Sequence, residues 1–400
     1  LSQAAIWIII IPIWACKGAE MNAKISHQAT SLRVERPGRA ATDFPAIWLR
    51  DNCRCAACRH PGNGQRLYEI TDLPPSLSIQ DVARESDGSV RIVWAPDGHV
   101  TVFSELWLND HDLSSEARKS RKKKPTLWNK SIGNAKPVGD WRQMVADPAA
   151  ELAFLDAYHA HGFGLIRHSP AVPETVLAIG NHLGFVRVTN YGALFDVISL
   201  PNPNNLAFTP IGLGVHSDNP YRDPTPGVQL LHCLESDAPG GDTLLVDGFN
   251  AATILRQEDP AAFDLLTRMP VNFRFRADNA ELNARQTLIS VDEDDDIVGV
   301  HFNNRSLDWL DAPAEMVEPW FAAYRKLADI LHRPDGELVF RLAPGDCVVM
   351  QNDRALHGRT AFDPSRGRRH LQGCYVDKDG LDSRARVLRR RLNEKKGVAA

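Results

Sequence analysis

The chain has 400 residues, 43% hydrophobic and 24% charged, a globular composition that excludes a disordered or fibrous protein. Its net charge of −4 speaks against a general nucleic-acid binder, and its length allows one large domain plus a small one. Seven cysteines, three of them in Cys53-Arg54-Cys55-Ala56-Ala57-Cys58, suit metal binding in a reducing, cytoplasmic setting better than a disulfide framework.

In chain order, residues 1–20 hold an apolar run too short to span a bilayer, without the positive start of a signal peptide. We read them as a non-native upstream extension and expect no membrane partner. Residues 21–125 read as a small β-rich domain and linker. Residues 46–49 and 89–94 read as strands, Pro96-Asp97-Gly98 as a turn, and 99–103 as the returning strand. Residues 104–108 begin a helix, and the basic run 118–124 reads as a solvated linker. Beyond it, residues 126–400 form the larger domain. Helical periodicity marks 147–161, 173–183, 258–267 and 313–332. Strands are expected at 162–166, 184–188, 228–234, 243–246, 337–342, 347–351 and 371–376. No βαβ rhythm runs through them. The fold class is therefore α+β, mainly β: a double-stranded β-helix of jelly-roll or cupin type with flanking helices, behind a small N-terminal domain.

Two clusters carry chemistry. In Gly214-Val215-His216-Ser217-Asp218-Asn219-Pro220, His216 and Asp218 stand at i and i+2, which leave an extended chain on one face. One imidazole and one carboxylate are two ligands of the two-His-one-carboxylate set that holds non-haem Fe(II). A His-x-Asp is common by chance. The distal His357, after the apolar strand 347–351, supplies the third ligand, and Arg369 offers a guanidinium to clamp a carboxylate in two hydrogen bonds. Cys53, Cys55 and Cys58 need a fourth ligand to close a zinc tetrahedron. His60, His99 and His111 are the candidates, and His99, just after the turn, is chosen.

These residues resemble the gamma-butyrobetaine dioxygenase family, within the Fe(II)/2-oxoglutarate oxygenases of the taurine-dioxygenase type. The resemblance spans about residues 47–392. It rests on Trp48-Leu49-Arg50-Asp51-Asn52-Cys53, Asn204-Asn205-Leu206-Ala207-Phe208 and Gly227-Val228-Gln229-Leu230-Leu231-His232-Cys233. Gly240-Gly241-Asp242-Thr243, Val246-Asp247-Gly248-Phe249, Phe302-Asn303-Asn304 and Arg369-His370-Leu371 extend it. It implies that His216, Asp218 and His357 bind Fe(II), and that His99 completes the Zn(II) site. It also implies that Arg369 and Thr243, with Leu231 beside them, hold 2-oxoglutarate. Where the family more often has Thr between its first two ligands, this chain has Ser217.

The resemblance further implies an aromatic cage for a trimethylammonium group at Tyr191, Phe195, Phe208 and Tyr375. A cation without N–H donors is held there by ring faces. Phe stands at two cage positions where familiar members carry Trp and Tyr. The substrate's anionic end is expected at Asn205 and at Asn303 or Asn304, with Arg305 beside them. The implied reaction uses O2 to hydroxylate a small quaternary-ammonium zwitterion, first γ-butyrobetaine to carnitine. Trimethylaminoethylphosphonate and trimethyllysine are the rival substrates, and a homodimer is the implied assembly. The rival from another class is a metal-binding cupin scaffold without turnover.

Overall fold

The structure, a computed structural model, describes residues 23–198 and 209–395. The upstream extension, Asn205 and Phe208 lie outside the described residues. The chain divides between Lys123 and Lys124 into two compact units. Among the described residues no helix is long and apolar enough to cross a membrane.

The first unit contains two three-stranded antiparallel sheets. Strand Val90–Ala95 buries Val90, Ile92 and Trp94 in alternation, the pattern of a strand with one face on the core. The fully buried Trp94 satisfies its indole by donating to Thr101 Oγ1 at 2.9 Å. Two sequence expectations fail here. Residues 46–49 belong to a helix, Ala46–Asp51, which buries Ala46, Leu49 and Arg50 while Ile47 faces solvent. That i, i+3, i+4 spacing is helical, although Ile and Trp favour strands. The basic run is not all linker either. Helix Ser115–Arg121 takes up its first half, started by Ser114 Oγ, which accepts the Ala117 amide at 3.3 Å. Such a cap contributes about 1 kcal/mol, and the basic last turn suits the helix dipole.

In the second unit the chain passes back and forth between two sheets. Leu213–His216, Thr243–Asp247, Leu338–Phe340 and Ala355–Arg359 form a four-stranded sheet. Val228–Ser236 and Cys347–Gln351, reached between those strands, and Arg369–Val376, reached after the last of them, form the centre of a seven-stranded one. This alternation produces the jelly-roll type of architecture. The seven-stranded sheet is antiparallel except where Val138–Asp140 pairs parallel with Phe163–Arg167. Its outer face is covered by helices Pro148–His161, Thr175–Leu183 and Lys378–Lys395, around Val228, Leu230, Val349 and Val376. Inward side chains such as Phe163, Leu231, Leu245, Val348 and Met350 pack into one cluster between the sheets, and Leu231 also borders the site's cavity.

Helix 258–267 of the sequence reading is Pro260–Arg268, started by the Asp259 side chain, while the helix before it, Gly248–Glu258, was not read from the sequence. Hairpin Val271–Ala277 with Ala280–Gln286 and helix Lys378–Lys395 were not read from the sequence. The motif around Asp247 has a packing origin. Its carboxylate caps the Phe249 amide at 3.1 Å, accepts the Trp128 amide at 3.1 Å and pairs with the buried Arg354 at 3.2 Å.

Candidate active site

His216 ends its strand and lies directly across from His357 in the four-stranded sheet. Their rings stand 4.4 Å apart. Asp218 follows just past the strand end and faces both. His216 Nε2 is 3.3 Å from Asp218 Oδ1, and His357 Nε2 is 3.9 Å from Oδ2. One ligand atom from each of the three lies within 4.8 Å of the others. The Gly214 carbonyl is 3.0 Å from His216 Nδ1, so a neutral ring keeps its proton there and turns the Nε2 lone pair to the carboxylate. Burial pulls His357 down to about 3. Burial pushes the Asp218 carboxyl up, but His357, His216 and the Tyr375 hydroxyl outweigh it and hold it below its ordinary value. One carboxylate and two imidazoles, their ligand atoms within 4.8 Å of one another, form a donor set that fits a divalent cation.

Asp218 is held at both backbone and carboxylate. The Asn352 amide accepts the Asp218 N–H at 2.7 Å and donates to its carbonyl at 2.8 Å and to that of Pro226 at 2.9 Å. Gln229 and Tyr375 both donate to Oδ2, at 2.5 and 2.8 Å. Ser217 faces elsewhere, as expected of the residue between i and i+2. Its hydroxyl accepts the Phe302 amide at 3.0 Å.

The triad opens into a cavity of about 510 Å³. Arg369, Thr243 and Leu231 line it, as do Tyr191, Phe195, Tyr375, Asn303 and Arg305. Arg369 is steered by the Gly240-Gly241 turn. Its Nε donates to the Gly241 carbonyl at 3.0 Å, and a Cβ on Gly241, whose φ is +73°, would stand 2.6 Å from the guanidinium. Phe195 lies over Gly373, where a Cβ would come within 2.4 Å of its ring.

Sequence reasoning missed five contributors. Tyr221 and Phe275 extend the aromatic wall: Phe275 stacks on Tyr221 at 5.1 Å and meets Tyr191 edge-on at 5.8 Å. Arg359 is buried in the same wall opposite Thr243, drawn down to about 10 by burial and by Arg369 and Arg305. Guanidiniums crowded this way call for an anion among them. Gln229 and Asn352 are the others; Gln229 announced itself as a polar residue in an apolar run, and Asn352 lies in the polar stretch 351–354 with no such signal. One expectation is corrected. Asn304 does not line this cavity; the turn after Asn303 carries it into a separate one, where it accepts the Tyr324 hydroxyl at 3.1 Å. Asn303 does line the cavity, but its amide is engaged with the Ser217 carbonyl at 3.0 Å and the Arg305 amide at 3.1 Å.

In the first unit, Cys53, Cys55, Cys58 and His99 converge. The three sulfurs lie 3.3, 3.7 and 3.6 Å from His99 Nε2. His60 is exposed, its Nδ1 accepting the Gly62 amide at 3.1 Å, and His111 stacks on Trp107 at 4.3 Å.

A sheet pair of this topology with a converging His-Asp-His set and an arginine-lined cavity fits the class of metal-dependent oxygenases. Residues 123–375 match the family model described as taurine catabolism dioxygenase TauD, TfdA family. Residues 23–139 match the one described as gamma-butyrobetaine hydroxylase-like, N-terminal. The chain belongs to the TauD, TfdA family of dioxygenases. It is 33% identical to gamma-butyrobetaine dioxygenase of Pseudomonas sp. (strain AK-1) over 363 residues, covering 90% of this chain and 94% of that one. It is 30% identical to the Homo sapiens enzyme of that name over 359 residues, 87% and 92% of the two chains. Trimethyllysine dioxygenase of Meyerozyma guilliermondii is 30% identical over 386 residues, 91% of this chain and 95% of that one.

Proposed function

We propose that this dioxygenase hydroxylates a small zwitterion, trimethylammonium at one end and anionic at the other, with γ-butyrobetaine as its first substrate. The observation that carries the reading is one cavity in which the His-Asp-His set, Arg369 and five aromatic rings converge. His216, Asp218 and His357 would hold Fe(II). Bound there with 2-oxoglutarate and O2, the metal supplies the oxidising chemistry. The protein's share is binding and orientation. Arg369 and Thr243 take the distal carboxylate of 2-oxoglutarate, with Leu231 as an apolar wall. Tyr191, Phe195, Tyr221, Phe275 and Tyr375 give the ammonium π-faces, each contact worth about 0.5–2 kcal/mol. Arg305 meets the anion, with Asn303 fixing the loop that carries it. Asn205 and Phe208, outside the described residues, belong to the same proposed substrate set.

The cavity's charge bears on the choice of substrate. Among the described residues that line it, Asp218 is the one acid, beside five arginines, of which Arg274 and Arg276 pair with Glu281. Trimethyllysine carries an α-ammonium that needs an acceptor, and the one carboxylate is committed to the triad. The same arginines favour a carboxylate, and admit a phosphonate as the second reading.

The first unit is proposed as a structural zinc domain. A tetrahedron with Zn–S of about 2.3 Å and Zn–N of about 2.1 Å has S···N edges of about 3.6 Å. The spacings of 3.3–3.7 Å from His99 match that edge.

The test offers γ-butyrobetaine and its phosphonate analogue together, with His216→Ala, Asp218→Ala and His357→Ala in parallel. Turnover of either zwitterion by the wild type, and its loss in each variant with the fold retained, is the expected result. Near wild-type activity in any variant removes that residue from the site.

A further inference from the structure

Asp218 is gripped from the opposite sheet by a matched pair. Gln229 and Tyr375 sit directly across from each other on neighbouring strands, so their side chains leave on one face. Both end on the same oxygen, Oδ2, at 2.5 and 2.8 Å, while Oδ1 faces His216 Nε2 at 3.3 Å. The carboxylate is thereby turned so that Oδ1 is its metal-facing oxygen. The ring of Tyr375 is meanwhile part of the aromatic wall, 5.2 Å from Phe195. One side chain thus touches both the place of the cation and the metal's carboxylate.

Resting on the function proposed above, we propose that Tyr375 is a positioning residue that transmits occupancy of the aromatic cage to the metal ligand Asp218. The physical link is polarisation. A cation against the ring face draws electron density toward itself and makes the phenol a stronger donor. A stronger bond to Oδ2 withdraws charge from the carboxylate, and Oδ1 becomes a weaker donor to the metal. Gln229 makes the same hydrogen bond without belonging to the aromatic cage. It orients Asp218 but carries no such message.

The experiment uses the full chain loaded with Co(II), whose visible absorption reports its ligands, and γ-butyrobetaine as the probe. In the wild type, adding γ-butyrobetaine shifts the Co(II) bands. Tyr375→Phe keeps the ring, so binding by calorimetry stays within a few-fold, while the band shift falls below half. Co(II) affinity also drops about 10- to 100-fold, the usual loss when a ligand's hydrogen-bond partner is removed. Gln229→Met shows a similar affinity loss and keeps the shift. Should Tyr375→Phe fail to fold, 3-fluorotyrosine at 375, a more acidic phenol with a weaker ring face and almost the same shape, must change the size of the shift. An undiminished shift in Tyr375→Phe, or an unchanged one with fluorotyrosine, overturns this inference alone. No binding of γ-butyrobetaine by the metal-loaded wild type overturns the proposed function, and this inference with it.

Discussion

Arg305→Ala removes a guanidinium from the wall that also carries His216, Asp218 and His357. The charge is close enough to bear on Asp218, His357 and Arg359. Asp308, the surface acid that would otherwise hold it outward, lies 3.8 Å from Arg274 instead. A charge-assisted hydrogen bond to a bound anion is worth about 1.5–3 kcal/mol. At about 1.4 kcal/mol per factor of ten, its loss lowers kcat/KM by about 10- to 150-fold. Arg305 keeps access to solvent, which weakens the Coulomb part, so γ-butyrobetaine should lose about tenfold. A phosphonate has more charge and a third oxygen and should fall toward the upper end. Arg305→Lys keeps the charge but not the planar fork, and should recover only part of the loss. Steady-state kinetics of the three proteins on both zwitterions measure this. Values unchanged within about twofold for both would refute the placement of Arg305 at the anion. Equal losses would leave it in the cavity and remove its part in discrimination.

Three further outcomes are expected. Cys55→Ser should lose the bound zinc and destabilise the N-terminal unit; metal analysis that still finds one zinc per chain removes the assignment. Asn352→Ala orphans the Asp218 N–H and carbonyl and the Pro226 carbonyl in the interior, at about 1–3 kcal/mol each. Urea unfolding should therefore show about 3–5 kcal/mol lost, and a loss under about 1 kcal/mol would contradict the clamp. Glu151 is buried and its carboxyl is raised by burial, but the His182 ring nitrogen 3.1 Å away and the Arg384 guanidinium 2.7 Å away outweigh that and hold it below its ordinary value. A depressed folded value means stability present above the unfolded value of about 4.3 and lost as pH falls below it. Glu151→Gln should flatten the acid limb of Tm against pH, and an identical limb in both proteins would refute the argument.

The first two ligands were legible because their signal is local: His216 and Asp218 stand at i and i+2. The distal His357 was legible from the buried apolar strand before it. What is set by cross-strand register was not legible. Gln229 meets Tyr375 only because two strands 146 positions apart in sequence align at that register. Phe275 reaches the aromatic wall on a hairpin whose Phe-Arg-Phe-Arg alternation fits a surface strand equally well. Asn304 shows the opposite error. Adjacency to Asn303 suggested a shared role, but consecutive residues in a turn diverge. At residues 46–49 a helix of six residues is too short for its periodicity to outweigh strand-favouring side chains.

The central claim is that this chain couples oxidation of 2-oxoglutarate to hydroxylation of a trimethylammonium zwitterion. Mass-resolved stoichiometry tests it most directly, with the purified chain supplied with Fe(II), 2-oxoglutarate, O2 and γ-butyrobetaine. The account predicts one succinate formed for each substrate molecule that gains one oxygen atom, with that atom labelled from 18O2. Iron bound without succinate release on offering γ-butyrobetaine, its phosphonate analogue or trimethyllysine would contradict it and leave a metal-binding scaffold.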